Sequence, residues 1–155
     1  MSKASPEQVY IVDGSRTPFL KAKNGLGPFS ASDLAVQTGR QLLNKYNFMP
    51  ENIDEVIIGS AMPSPDEANI GRIVALRSGC GPKVPAWTVM RNCASGMQAV
   101  DNAFQSIMLG RSSLVLAGGT DAMSHAPLLF NSKMANWLAK WFSSKTISQK
   151  ANLAT

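Results

Sequence analysis

The chain is constrained most by residues 86–110, where the spacing of the apolar side chains changes from that of a strand to that of a helix. Residues 86–90 form an apolar run that favours β structure. From Cys93 onward, apolar residues recur every three or four positions, as on one face of an α-helix. Gly110 is typical of the residue that follows a helix C-terminus. The sequence therefore predicts a strand that runs into a helix through a tight turn, with Cys93 in the first turn of that helix.

The predicted position of Cys93 suits a nucleophile. The first backbone N–H groups of a helix have no intrahelical partner, and the helix dipole places about half a positive charge there. Such a site favours the thiolate, and the same N–H groups can bind the oxyanion that forms when sulfur attacks a carbonyl. The simpler interpretation is a structural residue, because free cysteines are usually buried like small hydrophobic side chains. Local spacing leaves both interpretations open.

Apolar runs and helical patterns alternate along the chain. Strands are predicted at residues 9–12, 54–60, 86–90 and 113–119, and helices at residues 30–47, 69–78 and 93–110. This β-α-β-α-β-α-β order predicts a doubly wound α/β domain, a layered fold with a mostly parallel sheet and helices on both faces. The Val-Ile-Ile run at residues 56–58 does not alternate with polar residues, which indicates a strand buried on both faces. The loop at residues 61–66 follows the carboxyl end of that strand, where ligands of open α/β sheets bind.

Three motifs occur in a fixed order along the chain. Residues 9–19 read Val-Tyr-Ile-Val-Asp-Gly-Ser-Arg-Thr-Pro-Phe, residues 92–99 read Asn-Cys-Ala-Ser-Gly-Met-Gln-Ala, and residues 118–127 read Gly-Gly-Thr-Asp-Ala-Met-Ser-His-Ala-Pro. They resemble the opening strand with its Arg-Thr-Pro turn, the nucleophile motif and the Gly-Gly to Met-Ser segment of the thiolases. This family comprises the acetyl-CoA acetyltransferases and 3-ketoacyl-CoA thiolases. The resemblance covers residues 9–130 and implies a thiolase-like fold.

The resemblance also implies acyltransferase chemistry in fatty acid metabolism. Cys93 would attack a 3-ketoacyl-CoA, acetyl-CoA would leave, and a second coenzyme A would take the acyl group from the sulfur. The reverse reaction condenses two acyl-CoA molecules. The backbone N–H of Cys93 would help to hold the thioester oxygen. Coenzyme A is a substrate in this chemistry, no metal or redox cofactor is implied, and Cys93 is the one catalytic residue that the resemblance assigns to this chain.

The resemblance implies that the chain corresponds to only part of a thiolase. Full thiolases resemble two similar α/β halves, and we expect residues 1–130 to be the N-terminal α/β domain, with residues 131–155 the truncated start of the inserted loop domain. The histidine that activates the nucleophile and the second, acid/base cysteine of the family lie in segments without a counterpart here. We therefore expect the chain alone to be incomplete and inactive. A C-terminal thiolase half is an expected partner, and the parent family implies a homodimer or tetramer.

Two further side chains, His125 and Cys80, have reactive chemistry. His125 is the only histidine and follows the last predicted strand. It could act as a base for Cys93, although nothing in the sequence orients it and the resemblance places the catalytic histidine elsewhere. Cys80 lies in a turn that ends a predicted helix, so a structural role is expected. Two cysteines and one histidine exclude a disulfide framework and a His-rich metal site, and free thiols fit a reducing compartment.

Charge and hydropathy exclude further classes of protein. The net charge is +5, but the positive residues do not form the run that marks a nucleic-acid patch. A basic surface is compatible with an anionic coenzyme. The first residues lack the apolar core of a signal peptide, and no run of about 18 apolar residues is present. We therefore expect a cytoplasmic protein without a membrane span.

The last segment differs from the rest of the chain. Met134, Trp137 and Trp141 have helical spacing and are interleaved with lysines, which predicts a basic amphipathic helix. Such a helix could lie on a membrane surface, bind a partner or pack on its own protein. Two alternative functions stay open: a condensing enzyme like the β-ketoacyl synthases, and a non-catalytic interaction module that uses this Trp-rich segment and an exposed half-interface.

Overall fold

The computed structural model describes residues 8–22 and 25–154 of the chain. In that part, the strands are β1 (Glu55–Gly59), β2 (Ala86–Val89) and β3 (Val115–Gly119). They form a parallel sheet in the order β2-β1-β3. The helices are α1 (Ala31–Lys45), α2 (Ile70–Arg77), α3 (Ser95–Met108), α4 (Ser132–Ser143) and α5 (Ile147–Ala154). Within these residues, none of the helices combines the length and the hydrophobicity that a bilayer-spanning segment requires.

Strand β1 is the centre of the fold and is buried on both faces. Val56 and Ile58 pack in one core with residues of α1 and α2, among them Val36, Ile70 and Val74. Ile57 faces the opposite way and packs against Ala99 and Ala103 of α3. Successive side chains of a strand point to opposite faces, so an uninterrupted apolar run fills two cores at once. The predicted α/β class, with helices on both faces of a parallel sheet, is confirmed.

The predicted first strand at residues 9–12 is wrong. The segment has no strand assignment, and its last three side chains are 72%, 86% and 79% exposed. The composition favours a strand, but a strand forms only where its backbone pairs with a sheet edge, and these residues pair with neither outer edge of the sheet, that of β2 or that of β3. The chain just after this segment is held on α1 instead. Asp13 forms an ion pair of 2.7 Å with Lys45, and Ser15 Oγ donates to the carbonyl of Thr38 at 2.9 Å.

The N-terminus of α1 is closed by a carboxylate from another segment. Ser30 and Asp33 form the capping box that the Ser-x-x-Asp pattern predicts. Glu67, in the turn before α2, is buried and accepts hydrogen bonds from Ser30 Oγ at 2.6 Å and from the N–H and Oγ of Ser32. Burial on its own raises the pKa of Glu67, but these hydrogen bonds together bring it below its ordinary value.

We expect acid to weaken the fold through Glu67. Because its pKa is lower in the folded chain, its contribution to the free energy of unfolding is complete above about pH 4.5 and is lost as the pH falls through the folded pKa. Glu67→Gln should lower the free energy of unfolding near neutral pH by about 1–3 kcal/mol. It should also make stability less sensitive to acid. Urea denaturation at a series of pH values measures both effects.

The matched control for this prediction is Asp66→Asn, because Asp66 is an exposed neighbour of Glu67. It should change the stability by no more than about 0.5 kcal/mol. An equal loss in the control would contradict the role given to Glu67, as would an acid response of Glu67→Gln identical to that of the unchanged chain.

Candidate active site

Cys93 lies in the turn between β2 and α3. The helix begins at Ser95 with Ala94 as its N-cap residue, so Cys93 comes two residues before the helix and not within its first turn, as the spacing had predicted. The cause is Asn92, whose φ of 48° lies in the left-handed region. A residue in that region cannot continue a right-handed helix, and asparagine adopts it with less strain than most residues do. The Cys93 side chain is exposed.

Ser95 holds this turn in shape. It is only 3% exposed, and its Oγ accepts from the N–H of Arg91 at 2.8 Å and donates to the carbonyl of Asn92 at 2.7 Å. Two backbone bonds close the same turn, from Ala94 N–H to the Arg91 carbonyl at 3.0 Å and from Ser95 N–H to the Asn92 carbonyl at 3.1 Å. These four bonds fix the backbone on both sides of Cys93. From the sequence alone, Ser95 counted only as a small neighbour.

Glycines let this turn approach the ends of two strands. A Cβ atom on Gly59, at the end of β1, would lie 2.2 Å from the carbonyl oxygen of Ser95. A Cβ on Gly119, at the end of β3, would lie 2.8 Å from the Cα of Gly96. Side chains do not fit at such distances, so these positions require glycine. The contact places Cys93 at the carboxyl edge of the parallel sheet, where α/β proteins bind ligands.

Backbone donors are available beside the thiol. Ser95 and Gln98 donate their N–H groups to carbonyls of the turn. Within residues 8–22 and 25–154, the N–H groups of Cys93 and Met97 find no protein acceptor. Unpaired N–H groups at the start of a 14-residue helix can stabilise negative charge that develops nearby. The arrangement can therefore bind an oxyanion next to the sulfur.

Asp121 ties the loop after β1 to the end of β3. Its carboxylate accepts from Ser60 Oγ at 3.0 Å and from the N–H groups of Ala61 at 3.0 Å and Met62 at 3.1 Å. The loop that was predicted to bind ligands is thus fixed at the same edge of the sheet as Cys93. The sequence showed Asp121 only as one letter of a motif. Its partners lie 59 to 61 positions away along the chain. No local sequence pattern reveals contacts at such a separation.

His125 makes a structural contact. Its Nε2 lies 2.8 Å from the carbonyl oxygen of Gly27, and Ser124 Oγ accepts from the N–H of the same glycine at 3.2 Å. A carbonyl only accepts, so Nε2 is the donor in this contact. No hydrogen bond joins His125 to Cys93 in the described part of the chain. Nor does any cluster of three or more His, Cys, Asp or Glu side chains suited to a metal occur there.

Cys80 is in a different environment from Cys93. It is 1% exposed and packs in the core between α2 and β1, and burial raises the pKa of its thiol. The structure therefore agrees with the structural role predicted for Cys80. It also separates the two thiols clearly, because only Cys93 is accessible to reagents.

We expect iodoacetamide to label Cys93 at least about 10-fold faster than Cys80 at neutral pH, because Cys80 reacts only when the core opens. Peptide mass spectrometry of samples quenched over time gives the two rates. In urea the rates should converge, which controls for intrinsic differences between the peptides. Equal or reversed rates in the folded chain would contradict the environments described above.

A surface cavity that is not lined by Cys93 lies at the amino-terminal edge of the sheet. It is lined by residues at the amino ends of the strands, such as Asp54 and Glu55, and by residues of the second half of α3, such as Gln105. The carboxylate of Glu55 is already occupied, since it accepts from Trp87 Nε1 at 2.8 Å and from Ser106 Oγ at 2.8 Å. This cavity is at the amino ends of the strands, and the chemistry of Cys93 is at their carboxyl ends.

Comparison with known proteins gives consistent matches along nearly the whole chain. Residues 9–152 match the family model described as "Thiolase, N-terminal domain". A 3-ketoacyl-CoA thiolase of Aliivibrio fischeri is 33% identical over 147 residues, which are 95% of this chain and 33% of that protein. The chain thus spans about a third of the length of the curated relatives it matches.

Solved structures give the same result. The crystal structure of human mitochondrial 3-ketoacyl-CoA thiolase in complex with CoA matches with a TM-score of 0.70 and 35% identity, over 77% of this chain and 31% of that one. The acetyl-CoA acetyltransferase of Bacillus anthracis matches with a TM-score of 0.64 and 35% identity, over 71% of this chain and 29% of that one.

Proposed function

Because the chain belongs to the thiolase family, as its N-terminal domain, we propose that it carries the nucleophile of a thiolase-type acyltransferase. Cys93 attacks the 3-keto carbonyl of a 3-ketoacyl-CoA, and the bond between C2 and C3 breaks. Acetyl-CoA leaves as its enolate and takes up a proton, while the acyl group stays on the sulfur as a thioester. A second coenzyme A then takes the acyl group and regenerates Cys93. The reverse sequence condenses two acyl-CoA molecules.

One observation supports this proposal most: Cys93 is exposed at the carboxyl edge of the sheet, directly before a helix N-terminus. A tetrahedral intermediate on the sulfur carries a negative oxygen, and the unpaired N–H groups of Cys93 and Met97 are the nearby donors that can stabilise it. The turn is held by Ser95, so these groups are positioned before substrate arrives.

The substrate follows from the same premise. A solved relative is described as a complex with CoA, and we propose coenzyme A and its acyl thioesters as the substrates of this chain. The step needs no redox group, because the thioester supplies the activation of the acyl group. The assignment to fatty acid metabolism, to the cytoplasm and to a homodimer or tetramer belongs to the same proposal.

Proton transfer requires groups that this chain does not bring to Cys93. Thiolase chemistry needs a base for the sulfur and an acid/base for the α-carbon of acetyl-CoA. His125 donates to Gly27, and Cys80 is buried in the core. We therefore propose that the 155-residue chain alone is acylated slowly and does not turn over, and that a C-terminal thiolase half supplies these groups.

The same proposal divides the chain at residue 130. Residues 1–130 form the N-terminal α/β domain, and residues 131–155 are the start of the inserted loop domain. The sheet and helices α1 to α3 all lie before this boundary, and α4 and α5 lie after it. Helices α4 and α5 pack against each other.

Incubation with acetoacetyl-CoA tests the function. We expect intact-mass and peptide analysis to show an acetyl group on Cys93 of the chain alone, formed slowly. Addition of a separately expressed C-terminal thiolase half and coenzyme A should accelerate acylation and give continuous release of acetyl-CoA. Absence of the adduct from Cys93 under both conditions would overturn the proposal. Sustained turnover by the chain alone would contradict its incompleteness.

A further inference from the structure

Helix α4 separates apolar from basic side chains. With about 3.6 residues per turn, its large apolar residues fall on one side and its lysines on the other. The apolar side consists of Met134, Trp137, Leu138, Trp141 and Phe142, and the polar side of Ser132, Lys133, Asn136, Lys140 and Ser143. None of the residues of α4 is buried.

Large apolar side chains extend the exposed surface beyond α4. Phe142 is 81% exposed and Ile147, at the start of α5, is 88% exposed. Leu128 and Leu129, which precede α4, are 86% and 85% exposed. We refer to residues 128–152 as the α4–α5 segment.

The aromatic residues of the α4–α5 segment lie beside its positive charge. The rings of Trp137 and Trp141 stack with their centroids 5.3 Å apart. Lys150 Nζ lies 5.7 Å from the centroid of the Trp141 ring. A tryptophan next to a lysine is typical of helices that lie at the boundary between lipid headgroups and acyl chains.

Most of the net charge of the protein is concentrated here. The α4–α5 segment contains Lys133, Lys140, Lys145 and Lys150, and no aspartate or glutamate follows Asp121. Four of the five net positive charges therefore come from this segment. Each lysine without a neighbouring carboxylate raises the partition coefficient on an anionic surface by about fivefold.

We propose that the α4–α5 segment docks on an anionic lipid surface, with its apolar side chains at the headgroup boundary and its lysines against the phosphates. Helix α4 is too short to span a bilayer, because its 12 residues extend about 18 Å and a bilayer core is about 30 Å thick. The helix must therefore lie on the membrane surface. The large exposed apolar area distinguishes this ligand from a nucleic acid. This docking is independent of the chemistry proposed for Cys93.

Vesicle binding by the whole chain tests this proposal. We expect co-flotation with vesicles of mixed phosphatidylcholine and phosphatidylserine, and at least about 10-fold weaker binding to phosphatidylcholine alone. Raising the salt concentration from about 0.05 to about 0.5 M should release the protein, because the electrostatic attraction is screened. Tryptophan fluorescence should shift to the blue on binding, and the shift should persist in Trp87→Phe, since Trp87 lies in the sheet.

Two sets of substitutions separate charge from hydrophobicity. Replacing Lys133, Lys140, Lys145 and Lys150 by glutamine should lower the partition coefficient on anionic vesicles by roughly 600-fold. The double variant Phe142→Ser and Ile147→Ser should lower it by at least about 10-fold. The matched control is Phe19→Ser with Leu20→Ser, an equally exposed apolar pair, at 92% and 78%, outside the α4–α5 segment. It should bind like the unchanged chain.

Three results would overturn the proposal that the α4–α5 segment docks on an anionic lipid surface. Apart from Lys150 and Trp87, which are half-buried, the substituted positions are exposed, and circular dichroism checks for each variant that the fold is kept. If the segment packs against a protein surface instead, no vesicle composition will bind or shift the tryptophan emission. Binding that neither set of substitutions weakens, or that the Phe19 and Leu20 pair weakens equally, would also overturn it.

Discussion

Cys93→Ser should lower the rate of acyl transfer from acetoacetyl-CoA by at least about 1000-fold, because a serine hydroxyl is much less acidic and much less nucleophilic than a cysteine thiol. The effect is specific to the thiol and not to the fold of the turn. Serine has nearly the same size, and the bonds that Ser95 makes around the site do not involve the Cys93 side chain. The sulfur atom itself is the group that the substitution removes.

Cys80→Ala is the matched control for this experiment. Cys80 is buried in the core, so its replacement should reduce stability while leaving the acylation rate within about twofold. Intact-mass analysis of the acetyl adduct gives the rate for both variants, in the presence of the C-terminal half. An adduct that forms normally in Cys93→Ser would place the nucleophile at another residue, and loss of the adduct in Cys80→Ala would exclude a purely structural role for that thiol.

Gly59→Ala should lower the free energy of unfolding by at least about 3 kcal/mol. The added Cβ would lie 2.2 Å from the carbonyl oxygen of Ser95 and 2.6 Å from the backbone nitrogen of Gly96. Both are backbone atoms, so no side-chain rotation relieves the overlap. The first turn of α3 must therefore move away from the sheet, which also displaces Cys93. We expect acylation of Cys93 to slow even at temperatures where the variant stays folded.

Gly118→Ala provides the comparison, because a Cβ at Gly118 meets nothing within 4 Å and lies in the adjacent strand β3. Its stability should stay within about 1 kcal/mol of the unchanged chain. Urea denaturation followed by circular dichroism measures both variants. Similar midpoints for Gly59→Ala and Gly118→Ala would contradict the close contact between α3 and the end of β1.

Several features could be predicted because they depend on neighbouring residues. The capping box at Ser30 requires only Asp33 three positions later, and both hydrogen bonds form. The Val-Ile-Ile run predicted a strand buried on both faces, and Val56 and Ile57 are completely buried. The change of period before Cys93 predicted the junction of β2 and α3, although Asn92 moved the helix start to Ser95.

Other features depend on residues that are distant in the sequence. Asp121 acquires its role from the loop at residues 60–62, and Gly59 from the backbone of Ser95. His125 is turned toward Gly27, almost a hundred positions earlier. The apolar run at residues 9–12 has the composition of a strand but pairs with neither outer edge of the sheet. None of these outcomes is a property of a short window of sequence.

By itself, the sequence determined the order of the elements between residues 30 and 119 and the faces that they bury. These follow from periodicity and side-chain chemistry, which are properties of each segment taken alone. Only the tertiary structure decided which strands pair, which glycines the α3 contact requires, and which of the two thiols stays open to solvent. Those depend on which surfaces compete for the same edge or the same space, and that competition is resolved only when all the segments pack together.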